Sequence, residues 1–299
     1  MNSRLGVIGY GEVGQIFAAD LGVKPGIESV RVWDIKFLGD LRPNVDVLKA
    51  QSASLFIADS MQNLCLNADF LISAVTASST LAVAAEAARY LQPGSLFLDL
   101  NSASPGTKKE AAQVIEAAGG QYVEAGVMAS IPPYGIRVPM LLGGPHAAAL
   151  AARFTAWQMD AQAVSNQLGI ASAIKMSRSV MIKGLEALVI ESYATARHYG
   201  VEDHVLPTLV ETFPGIDWAQ QGAYFFSRVV AHGKRRAEEM REAARTVQEA
   251  GFEPLMTTAT AAKQQWVAEQ ATAGVFSKVV PGAPWQAYAD ALLARRGSN

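Results

Sequence analysis

The stretch "GVIGYGEVGQIFAADLG" (6–22) sets Gly9, Gly11 and Gly14 at the spacing G-x-G-x-x-G. It follows the apolar run "RLGVIG" (4–9) and opens a helical pattern over 12–21. A strand that passes into a helix through glycines so spaced leaves few folds open. Gly9 permits the tight turn, Gly11 lets the backbone approach a bound group, and Gly14 lets helix pack closely on strand. The helix start adds unpaired N–H groups and a partial positive charge. Asp34 ends the next strand pattern, "SVRVWD" (29–34), 20 residues beyond Gly14. This is the dinucleotide fingerprint, with a pyrophosphate expected over Gly9, Tyr10, Gly11, Glu12, Val13 and Gly14. A carboxylate at Asp34 accepts from both ribose hydroxyls of NAD and repels a 2′-phosphate. Lys36, two residues on, is able to pair with that phosphate. The expected cofactor is NAD, with NADP as the alternative.

The alternation continues through "FLISAV" (70–75), a helical stretch over 79–91, "SLFLDLN" (95–101), "YVEAGV" (122–127) and "PMLLGG" (139–144). Short apolar strands alternating with helices indicate a parallel, doubly wound sheet. Ser104 suits an N-cap, Pro105 the first helical position and Gly119 the stop. Beyond 165 the strand signals nearly vanish. "SAIKMSRSVMIKGLEALVIESYATARHYG" (172–200) reads as one long helix, followed by helical segments at 202–212, 217–231, 233–250, 257–271 and 283–296. The expected organisation is an α/β Rossmann domain over 1–164 and an all-α domain over 165–299. A chain of 299 residues suits two domains.

Net charge is −2, which gives no global basic field for nucleic acid or anionic lipid. The most apolar region, 68–91, carries Asp69, Glu86 and Arg89 and falls short of a membrane span. The N-terminus shows no signal-peptide pattern. One cysteine, Cys65, rules out a disulfide within the chain and fits a buried apolar role. A cytoplasmic location is expected. His146, His198 and His204 show no metal spacing, and no metal is expected.

Lys175 is the strongest anomaly. Its helix is apolar almost all round, through Ile170, Ile174, Met176, Met181, Ile182, Leu185, Leu188 and Ile190. Such a helix is expected to be buried, and a buried lysine calls for a partner or a function. Burial moves an ammonium toward neutrality, which suits proton transfer. Ser179, at i+4, shares its face.

At this point the chain resembles the β-hydroxyacid dehydrogenases, which include 3-hydroxyisobutyrate dehydrogenase and 6-phosphogluconate dehydrogenase. The likeness rests on G-x-G-x-x-G at 9–14, the loop "SAVTASS" (73–79), "DLNSASP" (99–105) beside the family's D-x-[ST]-[ST]-x-x-P, and G-x(5)-K from Gly169 to Lys175. The resemblance implies that Val75 and Thr76 lie at the nicotinamide side. It also implies that Lys175 acts on the substrate hydroxyl as hydride moves, and that the chain forms a homodimer through the helical domain. Two departures stand out. Ser179 occupies the position where the family commonly has asparagine and suits a hydrogen bond to the substrate with a shorter reach. Met128, Ala129 and Ser130, in "EAGVMAS" (124–130), replace the serine and glycines that usually hold a substrate carboxylate.

Asn101 and Ser102 follow a strand at its C-terminal end, where open parallel sheets bind ligands. Each suits a substrate hydroxyl or carboxylate, and Asn101 suits the cofactor as well. "AHGKRRAEEM" (231–240) reads as a helix start whose positive charge opposes the dipole. Either a substrate anion held by His232 or Arg235, or the neighbouring glutamates, would offset it. The expected activity is hydride transfer between NAD(P) and a small hydroxy acid of the 3-hydroxy or sugar-acid type, with Lys175 as general acid/base. The alternatives are an imine or enamine reductase on the same scaffold and a dinucleotide sensor without turnover.

Overall fold

The structure is a computed structural model that describes residues 3–38 and 55–296. Eight strands form one sheet: β1 (Ser3–Ile8), β2 (Ile27–Trp33), β3 (Leu55–Ile57), β4 (Phe70–Ser73), β5 (Leu96–Asp99), β6 (Gln121–Val127), β7 (Met140–Gly143) and β8 (Ala161–Ser165). Their order is β3-β2-β1-β4-β5-β6-β7-β8. Neighbours run parallel except β6 and β7, which pair antiparallel. Helices α1 (Glu12–Gly22), α2 (Met61–Leu66), α3 (Thr80–Ala88), α4 (Pro105–Ala117) and α5 (Ala147–Ala156) intervene.

Alternation along the strands builds two cores. Leu5, Val7, Phe70, Ile72, Val123 and Ala125 belong to one, whereas Ile8, Leu71, Phe97 and Tyr122 belong to the other. Successive strand residues point to opposite faces, so both faces of the sheet are covered. The start of α4 follows from its sequence, since Ser104 Oγ accepts from Thr107 N at 3.2 Å and Pro105 occupies the first turn. The sequence reading passes over β3 and β8. These are the two edge strands, β3 only three residues long and β8 nowhere fully buried. Edge strands carry weak apolar patterns because one side lacks a partner.

The chain forms two compact units, Met1–Met176 and Ser177–Asn299. Helix α6 (Ile170–Tyr199) runs across that division, so its first two turns, with Lys175, belong to the first unit. The second unit contains the rest of α6, then α7 (Glu202–Thr212), α8 (Trp218–Glu249), α9 (Leu255–Thr272) and α10 (Trp285–Arg296). Its core gathers Ile190, Tyr193, Trp218, Phe226, Val229, Trp285 and Tyr288.

Two expectations need correction. The segments 217–231 and 233–250 are one helix of 32 residues. Gly233 does not break it. A Cβ there would come within 2.8 Å of Gln264 O and 3.1 Å of Ala268 Cβ, so this glycine lets α9 press against α8. Nor is α6 buried on every face. Ile170, Ile174, Met181 and Leu188 are exposed, whereas Ala171, Met176, Val189, Ile190 and Tyr193 are buried. Apolar residues fall on every side of this helix between its polar ones and give no single preferred direction, so the sequence could not show which side packs. Among the described residues, no helix is long and apolar enough to cross a membrane.

Candidate functional site

Two of the loop glycines are imposed by packing. Gly9 has φ +89°, and a Cβ there would lie 2.5 Å from Ala74 O. At Gly14 a Cβ would lie 1.9 Å from Gly9 O. Gly11 differs, since a Cβ there would meet nothing within 4 Å. Gly11 is the N-cap of α1 and offers no side-chain acceptor to the first-turn N–H groups. An open approach to uncapped helix N–H groups fits a pyrophosphate. Tyr10 is buried and meets Phe37 edge-on at 6.0 Å, Val13 is half-buried, and Glu12 is exposed.

Asp34 is tied directly to this loop. Tyr10 N donates to its Oδ2 at 2.7 Å, and Lys36 N donates to its Oδ1 at 3.0 Å. Each oxygen keeps a lone pair for a further donor, as two ribose hydroxyls require. Lys36 itself is exposed.

Hydrogen bonds carry the sheet past its formal strand ends. Gly9 N donates to Trp33 O at 2.8 Å, Ala74 N to Ile8 O at 2.8 Å, and Leu100 N to Ser73 O at 3.0 Å. Asn101 closes this edge from within. Its Oδ1 accepts from Val75 N at 2.7 Å and its Nδ2 donates to Ser73 Oγ at 3.0 Å. The buried amide therefore grips the loop after β4. Asn101 N in turn donates to Asp99 Oδ1 at 2.9 Å. Thr76 is exposed, with Ser78 and Ser79 hydroxyls at 3.3 and 3.1 Å. Ser102 and Met128 are half-buried, and Ala129 and Ser130 are exposed.

Beneath Asn101 lies a buried ionic cluster that the sequence reading missed. Lys108 Nζ lies 2.8 Å from Asp99 Oδ1 and donates to Asp99 O at 3.0 Å, while Tyr122 OH donates to Asp99 Oδ2 at 2.6 Å. Burial, then the Asp99 charge, hold the Tyr122 phenol well above its ordinary value. The only trace in the sequence is a lysine in the second turn of a well-capped helix, which also suits a surface position.

Lys175 is half-buried, not buried as the helix pattern suggests. Helix α6 lies directly on β6 at this point. A Cβ on Gly126 would come within 2.9 Å of Ala171 O and 3.4 Å of Lys175 Cβ. The more buried lysine of α6 is Lys183, at 8% exposure. Its Nζ donates to Ser179 Oγ at 3.2 Å and pairs with Glu239 at 2.9 Å, so Ser179 is engaged within the second unit.

Residues 231–240 do not start a helix as expected: α8 begins at Trp218, so these cations lie mid-helix, away from the positive end of the dipole. His232 is half-buried. Exposed Arg235 lies 3.9 Å from half-buried Glu239 on an i,i+4 step, a long contact of small value, and the same carboxylate pairs with Lys183. Arg236 is buried against Glu186, which also accepts from Gln264 Nε2 at 3.2 Å.

Cys65 behaves as a small apolar residue. Burial first, then the charge of Glu86, push its thiol up to about 12. Native protein is therefore expected to resist thiol reagents at neutral pH under conditions that modify the unfolded chain fully. Labelling at equal rates in both states would contradict this. Keeping this thiol protonated favours the folded state. The contribution is whole below the ordinary thiol value and falls as pH rises from there toward about 12. Among the described residues, no cluster of His, Cys, Asp or Glu could hold a metal ion.

The first unit thus brings the glycine loop, Val75–Thr76, Asn101–Ser102, Met128–Ser130 and the Lys175 turns to one edge. That edge is the C-terminal end of β1, β4, β5 and β6.

Comparison with known proteins agrees with the fold. Residues 4–146 match the NAD binding domain of 6-phosphogluconate dehydrogenase, and residues 196–267 match a domain of unknown function, DUF1932. A conserved hypothetical protein from Sinorhizobium meliloti 1021 is 35% identical, covering 99% of this chain and 97% of its own, with TM-score 0.73. Two more distant structures share the fold. The 3-hydroxyisobutyrate dehydrogenase of Mycobacterium tuberculosis, with L-serine, is 14% identical over 98% of this chain and 99% of its own, TM-score 0.65. The imine reductase of Myxococcus stipitatus, in complex with NADP+, is 19% identical over 97% and 99%, TM-score 0.53.

Proposed function

Because residues 4–146 match the NAD binding domain of 6-phosphogluconate dehydrogenase and the chain shares its fold with a 3-hydroxyisobutyrate dehydrogenase, we propose that it transfers hydride between NAD and a small 3-hydroxy or sugar acid. The observation that carries this reading is that the glycine loop after β1 and the Lys175 turns against β6 lie at the same, C-terminal end of the sheet within the first unit.

The cofactor supplies the hydride acceptor or donor. The chain supplies the rest. The first-turn N–H groups of α1 bind the pyrophosphate over Gly11. Asp34, fixed by Tyr10 N, takes the ribose hydroxyls. Asn101 holds the 73–75 loop in place at the nicotinamide side. The Lys175 amine accepts the substrate hydroxyl proton in oxidation and returns it in reduction. Ser102 and the 128–130 loop border the substrate position.

The 2′-phosphate test addresses Asp34. Wild-type protein is expected to bind NADH more tightly than NADPH, and Asp34→Ala to narrow the gap by about tenfold, worth ~1.4 kcal/mol. Fluorescence titration of both nucleotides measures this. A wild-type preference for NADPH would show that Lys36 or another cation dominates.

The imine-reductase reading has one specific observation in its favour. Met128, Ala129 and Ser130 stand where a carboxylate-binding serine and glycines are common in the resembled family, and the Myxococcus stipitatus enzyme shares the fold. A parallel assay with cyclic imines and reduced nucleotide separates the two readings.

A further inference from the structure

The geometry points to Glu124 as the residue that positions Lys175. This rests on the reading of Lys175 as the acid/base group.

Glu124 is a carboxylate in the middle of an apolar strand, and it is fully buried. On β6 its side chain shares a face with Tyr122 and Gly126. The N-terminus of α6 arrives on that face. Gly169 N donates to Glu124 Oε1 at 2.7 Å, and Ala171 N to the same oxygen at 3.1 Å. Ser172 N and Ser172 Oγ donate to Oε2 at 3.4 and 2.7 Å. The carboxylate thus takes up N–H groups at the start of α6, and its charge faces the positive end of the helix. Gly169 enters the helix at φ +96°.

One residue pair further along the same strand face, Gly126 supplies the second constraint. Its missing side chain lets Ala171 and Lys175 rest on the strand. Glu124 fixes how far α6 extends along β6, and Gly126 fixes how close it comes. Lys175 is six residues beyond Gly169, so rotation or fraying of the first turn carries its Cβ away from Gly126 and the strand. Gly143, paired with Glu124 across β6 and β7, completes the arrangement. A Cβ at Gly143 would lie 2.4 Å from Glu124 Oε1. Gly143→Ala therefore displaces the carboxylate without removing it.

The test compares Glu124→Ala, Glu124→Gln and Gly143→Ala with wild type. It reads hydrogen exchange over 169–176, the pH profile of Lys175 acetylation by acetic anhydride, and NADH affinity. In Glu124→Ala and Gly143→Ala, exchange over 169–176 is expected to rise at least about tenfold. The acetylation profile of Lys175 is expected to shift, with NADH affinity within about threefold of wild type. Glu124→Gln keeps an acceptor and is expected to fall between. With a turned-over substrate, kcat is expected to drop by about 100-fold while the nucleotide KM holds.

An unchanged Lys175 profile in a folded Glu124→Ala protein overturns the proposal. Loss of NADH binding in step with melting temperature in all three variants also overturns it, since that marks a general packing role. These readouts do not depend on the chemistry. If Lys175→Ala turns over normally while Glu124→Ala still frees the helix start, the acid/base reading fails and the anchoring role stands.

Discussion

Lys175→Ala is expected to lower turnover by about 10²–10⁴-fold, the usual range for losing a general acid/base. NADH affinity is expected to stay within about threefold of wild type. The separation follows from the geometry. The nucleotide contacts proposed above fall on Gly9–Gly14, Asp34 and the loop held by Asn101, whereas Lys175 lies on α6 against β6. An alanine at this half-buried helical position retains helix propensity and leaves the Glu124 cap intact. Steady-state kinetics with a nucleotide titration tests both halves. Equal losses in kcat and nucleotide affinity would point to a distorted fold and not to missing chemistry. Exogenous primary amines should restore part of the rate if the lost group is a proton carrier.

The second large effect concerns stability. Lys108→Met is expected to destabilise the first unit by about 3–5 kcal/mol, or roughly 6–20 °C in melting temperature. Lys108 and Asp99 are both enclosed, and the ammonium balances a carboxylate that also serves Asn101 N and Tyr122 OH. Removing one partner leaves a buried charge without its counter-ion, which costs far more than a surface pair returns. The effect should reach the site as well. Asp99 holds Asn101, and Asn101 holds Val75 N. Denaturant titration and NADH affinity measured on the same variant check the two consequences. Normal stability would mean that the interior tolerates the unpaired Asp99 charge.

The sequence shows most of the architecture. Regular apolar runs mark β1, β2, β4, β5, β6 and β7, and Ser104 with Pro105 marks α4 closely. Edge strands β3 and β8 escape because they bury too little to leave a pattern. Gly233 misleads because a glycine that admits a neighbouring helix looks the same in sequence as one that ends a helix.

The site divides along similar lines. Glycine spacing and a carboxylate after the second strand are local signals, so the nucleotide loop is legible. The roles of Asn101, Asp99, Lys108 and Glu124 depend on pairings between residues far apart in the chain, 26 residues for Asn101 with Val75 and 45 for Glu124 with Gly169. Single-sequence periodicity carries no such information. Glu124 left one visible sign, a charge inside an apolar strand, and a buried carboxylate needs donors.

The most direct test of the account follows NADH absorbance with wild-type protein, NAD and a panel of 3-hydroxy and sugar acids, beside Lys175→Ala. The account predicts NADH formation with at least one acid by the wild type and its near-complete loss in the variant. Tight NADH binding with no hydride transfer to or from any acid or imine would contradict it, and would leave a dinucleotide sensor in its place.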